Sequence, residues 1–108
     1  MRLVSKTRNI VDNPIQHQYE IYRDGNVQGV VRYRIEGTTM RFFLCQAKGL
    51  HSESERRAFY LAAARDAKRR RLNVQITSRS MAEELAPLAK VRRVTFPDIT
   101  PDSHHVAA

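Results

Sequence analysis

The first half of the chain contains three runs in which hydrophobic and polar residues alternate. The runs are residues 17–23, 27–35 and 40–46. A period of two is typical of strands that bury one face. The short turns between the runs contain Gly25 and Gly37, and glycine tolerates the positive φ that tight turns require. The pattern therefore predicts an antiparallel meander of three strands.

The second half of the chain opens with a predicted helix. Ser52 and Glu55 have the spacing of a capping box, in which the serine caps the helix and the glutamate reaches back to it. The helix should run from about residue 53 to residue 71, through an alanine-rich middle. Residues 72–77 alternate again, so a further strand should follow this helix.

A second, shorter helix is expected after that strand. Ser80 and Glu83 form another capping box, and Pro87 should curtail or kink the helix that it opens. The remaining segments are predicted as a weak first strand and a loop (1–16), a possible last strand (91–96) and a flexible tail (97–108). We therefore expect a single α/β domain over residues 1–96.

The charge of the chain bears on its partners. Nineteen Lys and Arg residues against eleven Asp and Glu residues give a net charge of +8. Such an excess raises encounter rates with polyanions, but it does not determine the fold. One cysteine excludes an internal disulfide, and no stretch has the length and hydrophobicity of a membrane span. We expect a cytoplasmic protein with no membrane partner.

Candidate nucleophiles and metal ligands are few. Cys45 lies in an apolar run, where a cysteine is most often a small buried hydrophobe, so we predict that it is buried and not catalytic. The four histidines are scattered, and no acid or cysteine accompanies them at ligand spacing. We predict no metal site and no catalytic residue.

The order of the predicted elements resembles that of a minimal GNAT acetyltransferase of the short bacterial subfamily, over roughly residues 9–94. Three segments carry the resemblance: Tyr19-Glu20-Ile21 before Asp24-Gly25, the run from Gly29 to Gly37, and Ala62 to Lys68 before Leu72-Asn73-Val74. They are similar to the opening strand and turn, the second strand, and the end of the main helix with the strand after it. The resemblance implies a GNAT-like α/β fold and, for an active member, acetyl transfer from acetyl-CoA.

The segment that would hold the CoA pyrophosphate departs from the family pattern. The family places Arg/Gln-x-x-Gly-x-Gly/Ala at the start of the main helix, where glycines let backbone N–H groups approach the phosphate. The equivalent residues 51–56 contain no glycine, and Glu53 and Glu55 put negative charge there. Each such pair of like charges costs about 1–4 kcal/mol at surface-like dielectric. Ser78 stands near the place of a cysteine that the subfamily tends to carry. We therefore expect no cofactor in the usual pose.

Two interpretations of the function remain. In the first, a diverged, non-catalytic GNAT-like domain is a basic binding module for an acidic protein surface or for nucleic acid through phosphate contacts. The residues expected at that contact are Lys68, Arg69, Arg70, Arg71, Arg92, Arg93, Arg32 and Arg34. In the alternative, the chain is an N-acetyltransferase that binds acetyl-CoA in an atypical way. The residues expected to hold the cofactor are then Lys48, Gly49, Arg56 and Arg57.

Overall fold

A computed structural model describes residues 2–6, 8–92 and 98–99, with side chains as far as residue 86. The elements are β1 Arg2–Ser5, β2 Ile10–Asn13, β3 Gln18–Arg23, β4 Asn26–Glu36, β5 Thr39–Gln46, α1 Glu53–Arg69, β6 Asn73–Ile76, α2 Arg79–Arg92 and the two-residue strand β7 Asp98–Ile99. All seven strands join one mixed sheet in chain order. The α/β class predicted from the sequence is confirmed.

The first five strands form an antiparallel meander. The three predicted strands are therefore confirmed, but the prediction for residues 1–16 was incomplete, because two strands lie there instead of one strand and a loop. The alternation of apolar and polar residues that would predict a strand cannot be recognised in the sequence of β2. Its two inward-facing residues are Ile10 and Asp12, both buried, and a carboxylate at the second position interrupts the apolar pattern.

The last strands are parallel to their neighbours. Thr39–Phe42 of β5 pairs with Asn73–Ile76 of β6, and β7 pairs with β6 in the same direction. Such crossovers are right-handed and the strands follow chain order, so α1 and α2 lie on the same face of the sheet. One core joins that face to both helices, and its largest buried side chains include Tyr19, Val31, Phe42, Phe59, Met81 and Leu85. In the described chain, the other sheet face has no helix over it.

The predicted start of α1 is confirmed. The Glu55 N–H donates to Oγ of Ser52 at 3.0 Å, which satisfies one of the free donors of the first turn. The other half of the predicted capping box was wrong, because the Glu55 carboxylate pairs with Arg23 on the β3–β4 hairpin. The helix start is thus tied to the meander by an ion pair.

The end of α1 comes earlier than predicted, at Arg69 instead of residue 71. Arg71 has a left-handed backbone with φ of 63°. The Arg71 N–H donates to the Lys68 carbonyl at 2.9 Å, and the Leu72 N–H donates to the Ala67 carbonyl at 3.0 Å. These two bonds form a Schellman motif, in which the left-handed position is usually glycine. No glycine marks the helix end here, so the helix predicted from the sequence was too long.

The predicted start and length of α2 were wrong. Ser78, not Ser80, caps the helix, since the Met81 N–H donates to Oγ of Ser78 at 3.4 Å. The helix continues through Pro87 to Arg92, so residues 91–92 are helical and not part of a strand. Residues 93–96 of the predicted last strand, with Arg93, lie outside the described residues, and so do the Arg92 side chain and most of the predicted tail. Within the tail, Asp98–Ile99 forms β7. Neither helix of the described chain is long and apolar enough to span a membrane.

Candidate functional site

Strands β5 and β6 separate after Phe42. The Phe42 carbonyl accepts hydrogen bonds from the N–H groups of Thr77 (2.9 Å) and Ser78 (3.1 Å), and this is where the pairing of the two strands ends. Beyond that point the described part of β5 pairs only with β4. The β4–β5 register also shifts there, and Phe43 is the extra residue of a β-bulge. A cleft therefore opens between the second half of β5 and the start of α2.

Two adjoining cavities, of about 450 and 350 Å³, occupy this cleft and share Cys45 and Ser80. The first is lined by Phe43, Leu44, Thr77, Ser78, Arg79 and Glu83, the second by Gln46, Ala47, Lys48, Arg56, Tyr60 and Glu84. Burial, with the nearby Cys45 and Glu84, raises the pKa of Tyr60 to about 12. The Tyr60 phenol in the cleft is thus protonated near neutral pH. Charged side chains line the cleft as well: Lys48, Arg56, Arg79, Glu83 and Glu84.

The sequence predicted that Cys45 is buried. In the structure it is half-buried, in this cleft. Burial raises its pKa to about 11, and hydrogen bonds from Ser78 and Ser80 offset part of that effect. Two residues that lie far apart in the sequence, Cys45 on β5 and Ser78 at the start of α2, therefore face each other across the cleft. The raised pKa leaves the thiol a weak nucleophile at neutral pH.

Labelling of Cys45 by a disulfide reagent at pH 8 should be on the order of 100-fold slower in the native protein than in urea, because only the thiolate reacts. The pKa is raised, so the native rate should keep increasing with pH from 7 to 9 and level off only near pH 11. Stopped-flow absorbance measures both rates. Rapid native labelling that is independent of pH above 7 would show that Cys45 is an activated thiol.

The residues predicted to hold CoA in the acetyltransferase interpretation are mostly engaged within the protein. Nε of Arg56 donates to the Glu84 carboxylate at 2.8 Å, and Nε of Arg57 donates to the Glu84 carbonyl at 3.0 Å. The Gly49 N–H donates to the Gln28 carbonyl at 2.9 Å, and a Cβ at Gly49 would lie 2.9 Å from the Gln28 Cα. Gly49 therefore permits close packing against β4. Lys48 is exposed.

The four cations at the end of α1 do not form one surface. Lys68 and Arg71 are exposed and have no ion pair with a described residue. Arg69 is also exposed, with Nη2 3.5 Å from the Asp66 carboxylate. Arg70 instead turns towards the sheet, where Nη1 lies 3.1 Å from Oδ2 of Asp12 and 3.8 Å from Oδ2 of Asp66. Three of the four cations remain available to a partner.

Arg70 belongs to a polar group at the edge of the core that we call the Asp12–Asp66 network, made of Asp12, Tyr19, Tyr33, Asp66 and Arg70. The Tyr19 hydroxyl donates to Asp66 at 2.6 Å, and the Tyr33 hydroxyl donates to Asp12 at 2.7 Å. Burial, with the nearby carboxylates, raises the pKa of Tyr33 to about 12 and that of Tyr19 further. Both phenols therefore stay protonated and act as donors. The network joins α1 to strands β2, β3 and β4.

The remaining cations of interest lie on the sheet face opposite the helices. We call this surface the open face and define it by Arg32, Arg34, Arg41, Phe43 and Leu44. Arg32 pairs with Leu44 and Arg34 with Arg41 across β4 and β5, and directly opposite residues share a face. Arg32 and Arg34 are exposed without an ion pair to any described residue, whereas Arg41 contacts Glu36 at 3.2 Å. The Arg34 guanidinium lies 5.5 Å from the centre of the Phe43 ring.

No family model, no curated protein and no solved structure significantly matches this chain. The GNAT resemblance therefore rests on the order of elements and the local motifs alone. The function has to be argued from the residues themselves.

Several residues of these sites were missed from the sequence. Glu84 was not recognised as the partner of Arg56 and Arg57, since it lies 28 and 27 positions away from them, on another helix. Asp66 could have been found, because it lies three residues after Ala63 and seven after Phe59, on the buried side of α1. Phe43 is 37% exposed.

Proposed function

We propose that this chain is a diverged GNAT-like domain that binds nucleic acid through phosphate contacts and does not catalyse acyl transfer. The observation that carries the proposal is a contrast between two groups of cations. Arg56 and Arg57, which would hold the phosphates of CoA, are held by Glu84. Arg32, Arg34, Lys68 and Arg71 are exposed and lack acidic partners among the described residues. Apart from the exposed Lys48, the free positive charge of these two groups thus lies away from the expected cofactor site.

The start of α1 also supports the absence of catalysis. Oγ of Ser52 accepts the Glu55 N–H that a phosphate would otherwise use, and Glu53 is exposed beside it. A helix N-terminus attracts anions through free N–H groups and its dipole, and the serine and two carboxylates already supply both interactions. A pyrophosphate at this place would meet two like charges and fewer free donors.

The GNAT-like part of the proposal is supported by the order of the elements. An antiparallel meander leads to a long helix, a parallel strand and a second helix, which is the order that the sequence resemblance implies.

The cleft where β5 and β6 separate favours one alternative function, an acetyltransferase that binds acetyl-CoA in an atypical way. Titration calorimetry decides between them: a micromolar dissociation constant for acetyl-CoA supports the alternative, and no heat at high micromolar concentration supports the binding module.

The salt dependence of binding tests the proposed function. Fluorescence anisotropy with a labelled 20-mer duplex should give a log–log slope of about −0.9 for each phosphate contacted. The double variants R32Q/R34Q and K68Q/R71Q should each flatten the slope by up to about 1.8, for all base sequences alike. R79Q is a matched control, since Arg79 is exposed near Glu83. Equal binding to polyglutamate would favour an acidic protein partner, and no binding to either polymer would contradict the proposal.

A further inference from the structure

The open face combines exposed arginines with an exposed aromatic ring. The β-bulge at Phe43 leaves this side chain outside the core, although Phe42 beside it is fully buried. The Arg34 guanidinium lies over this ring, 5.5 Å from its centre, and when Arg34 turns to a phosphate the ring becomes a platform on which a planar group can stack. Leu44, half-buried on the same face, extends the apolar part of this surface.

Building on the proposed function, we propose that the open face binds single-stranded nucleic acid, with a base stacked on Phe43 and phosphates on Arg32 and Arg34. Arg32 and Arg34 are two residues apart on β4, so their Cα atoms are about 7 Å apart on one face. An extended strand that crosses the sheet can place successive phosphates on them. A protein ring on a sheet reaches the faces of unstacked bases, but the bases of a duplex cover one another.

Another copy of this chain is a less favourable occupant of the open face. A two-fold contact with its axis near Arg32 and Arg34 would bring these residues of each copy close to the same residues of the other. Glu20 lies in the neighbouring strand, but hydrogen bonds from Asn13, Gln18 and Tyr22 already surround its carboxylate and lower its pKa despite burial. Glu36, an exposed acid next to this face, already pairs with Arg41 at 3.2 Å. Both of these acids are therefore engaged, Arg32 and Arg34 stay without one, and a polyanion fits the face better.

Tryptophan fluorescence tests the inference directly, because the chain contains no tryptophan. In F43W, the single indole should be quenched by a single-stranded oligothymidylate 20-mer. An abasic 20-mer of the same charge should bind without comparable quenching. F43A should weaken binding to the oligothymidylate by about 5- to 150-fold, the range measured when a stacking aromatic is removed. Its affinity for the abasic strand and for duplex DNA should stay unchanged, and F43Y should bind like the native protein.

Each outcome separates this inference from the proposed function. If F43A binds the oligothymidylate normally and F43W is not quenched, while R32Q/R34Q still weakens binding, the face binds phosphates without stacking and the inference is wrong. If sedimentation shows a dimer that F43A dissociates, the face is occupied by a second copy and the inference is also wrong. If the native protein binds no polyanion, the proposed function itself fails. Urea midpoints of all variants show whether a loss of binding reflects unfolding.

Discussion

Replacement of Asp66 by alanine is expected to lower the free energy of unfolding by about 1.5–4 kcal/mol, because the buried Tyr19 hydroxyl loses a charged acceptor (about 1.5–3 kcal/mol) and the partly exposed ion pairs add up to about 1 kcal/mol. The Asp66 side chain is fully buried. It accepts the Tyr19 hydroxyl, pairs with Arg2 and lies near Arg70. Alanine would leave the Tyr19 hydroxyl without its acceptor and Arg70 with one acid instead of two. A small domain has about 5–15 kcal/mol in total, so D66A would lose a large share of its stability.

The matched control is D66N, which keeps an oxygen to accept the Tyr19 hydroxyl and loses only the charge. It should retain more stability than D66A, and the difference reports the hydrogen bond apart from the ion pairs. Urea denaturation followed by circular dichroism measures both. Equal and small losses, within about 0.5 kcal/mol of the native protein, would show that Asp66 is a surface-like residue and that the Asp12–Asp66 network does not stabilise the fold.

Much of the fold was predictable because local patterns agree with it. The alternation in β4 and β5 matches their burial, in which Val31 and Phe42 are buried and Arg32 and Arg34 are exposed. In β3 it matches less well, because Glu20 is buried along with Tyr19. The cap at Ser52 was also readable, since its hydrogen bond spans only three residues. Strand pairing between consecutive runs needs no long-range information when short turns join them.

The sites were much less predictable, because long-range contacts form them. The Arg70 side chain meets Asp12 across 58 positions of the chain, and Cys45 meets Ser78 across 33. The four consecutive cations at residues 68–71 suggested one basic surface, yet only the three-dimensional structure shows which of them contacts a buried acid. The helix ends failed for local reasons: Arg71 takes the left-handed conformation that glycine usually marks, and α2 continues through a proline.

This division of the cations gives two kinds of arginine with opposite expected phenotypes. Arg32 and Arg34 lie on the open face and should affect binding without affecting stability. Arg56 and Arg57 bridge α1 to α2 through Glu84 and fix the wall of the cleft. A screen that scores only loss of binding would confuse the two kinds, because unfolded protein also fails to bind. Stability and salt slope therefore have to be measured on the same variants.

The substitution R70Q should lower the free energy of unfolding by about 1.5–3 kcal/mol, the range for hydrogen bonds to charged groups. Arg70 is 32% exposed, so water can replace part of its contact with Asp12, and the effect should be smaller than that of D66A. The control R71Q, at the next residue, should change stability by less than about 0.5 kcal/mol. For binding the order reverses: R71Q should flatten the salt slope by about 0.9, and folded R70Q should keep the native slope. Should R70Q leave the urea midpoint unchanged and flatten the slope as R71Q does, Arg70 would belong to the binding surface, and the Asp12–Asp66 network would hold without it.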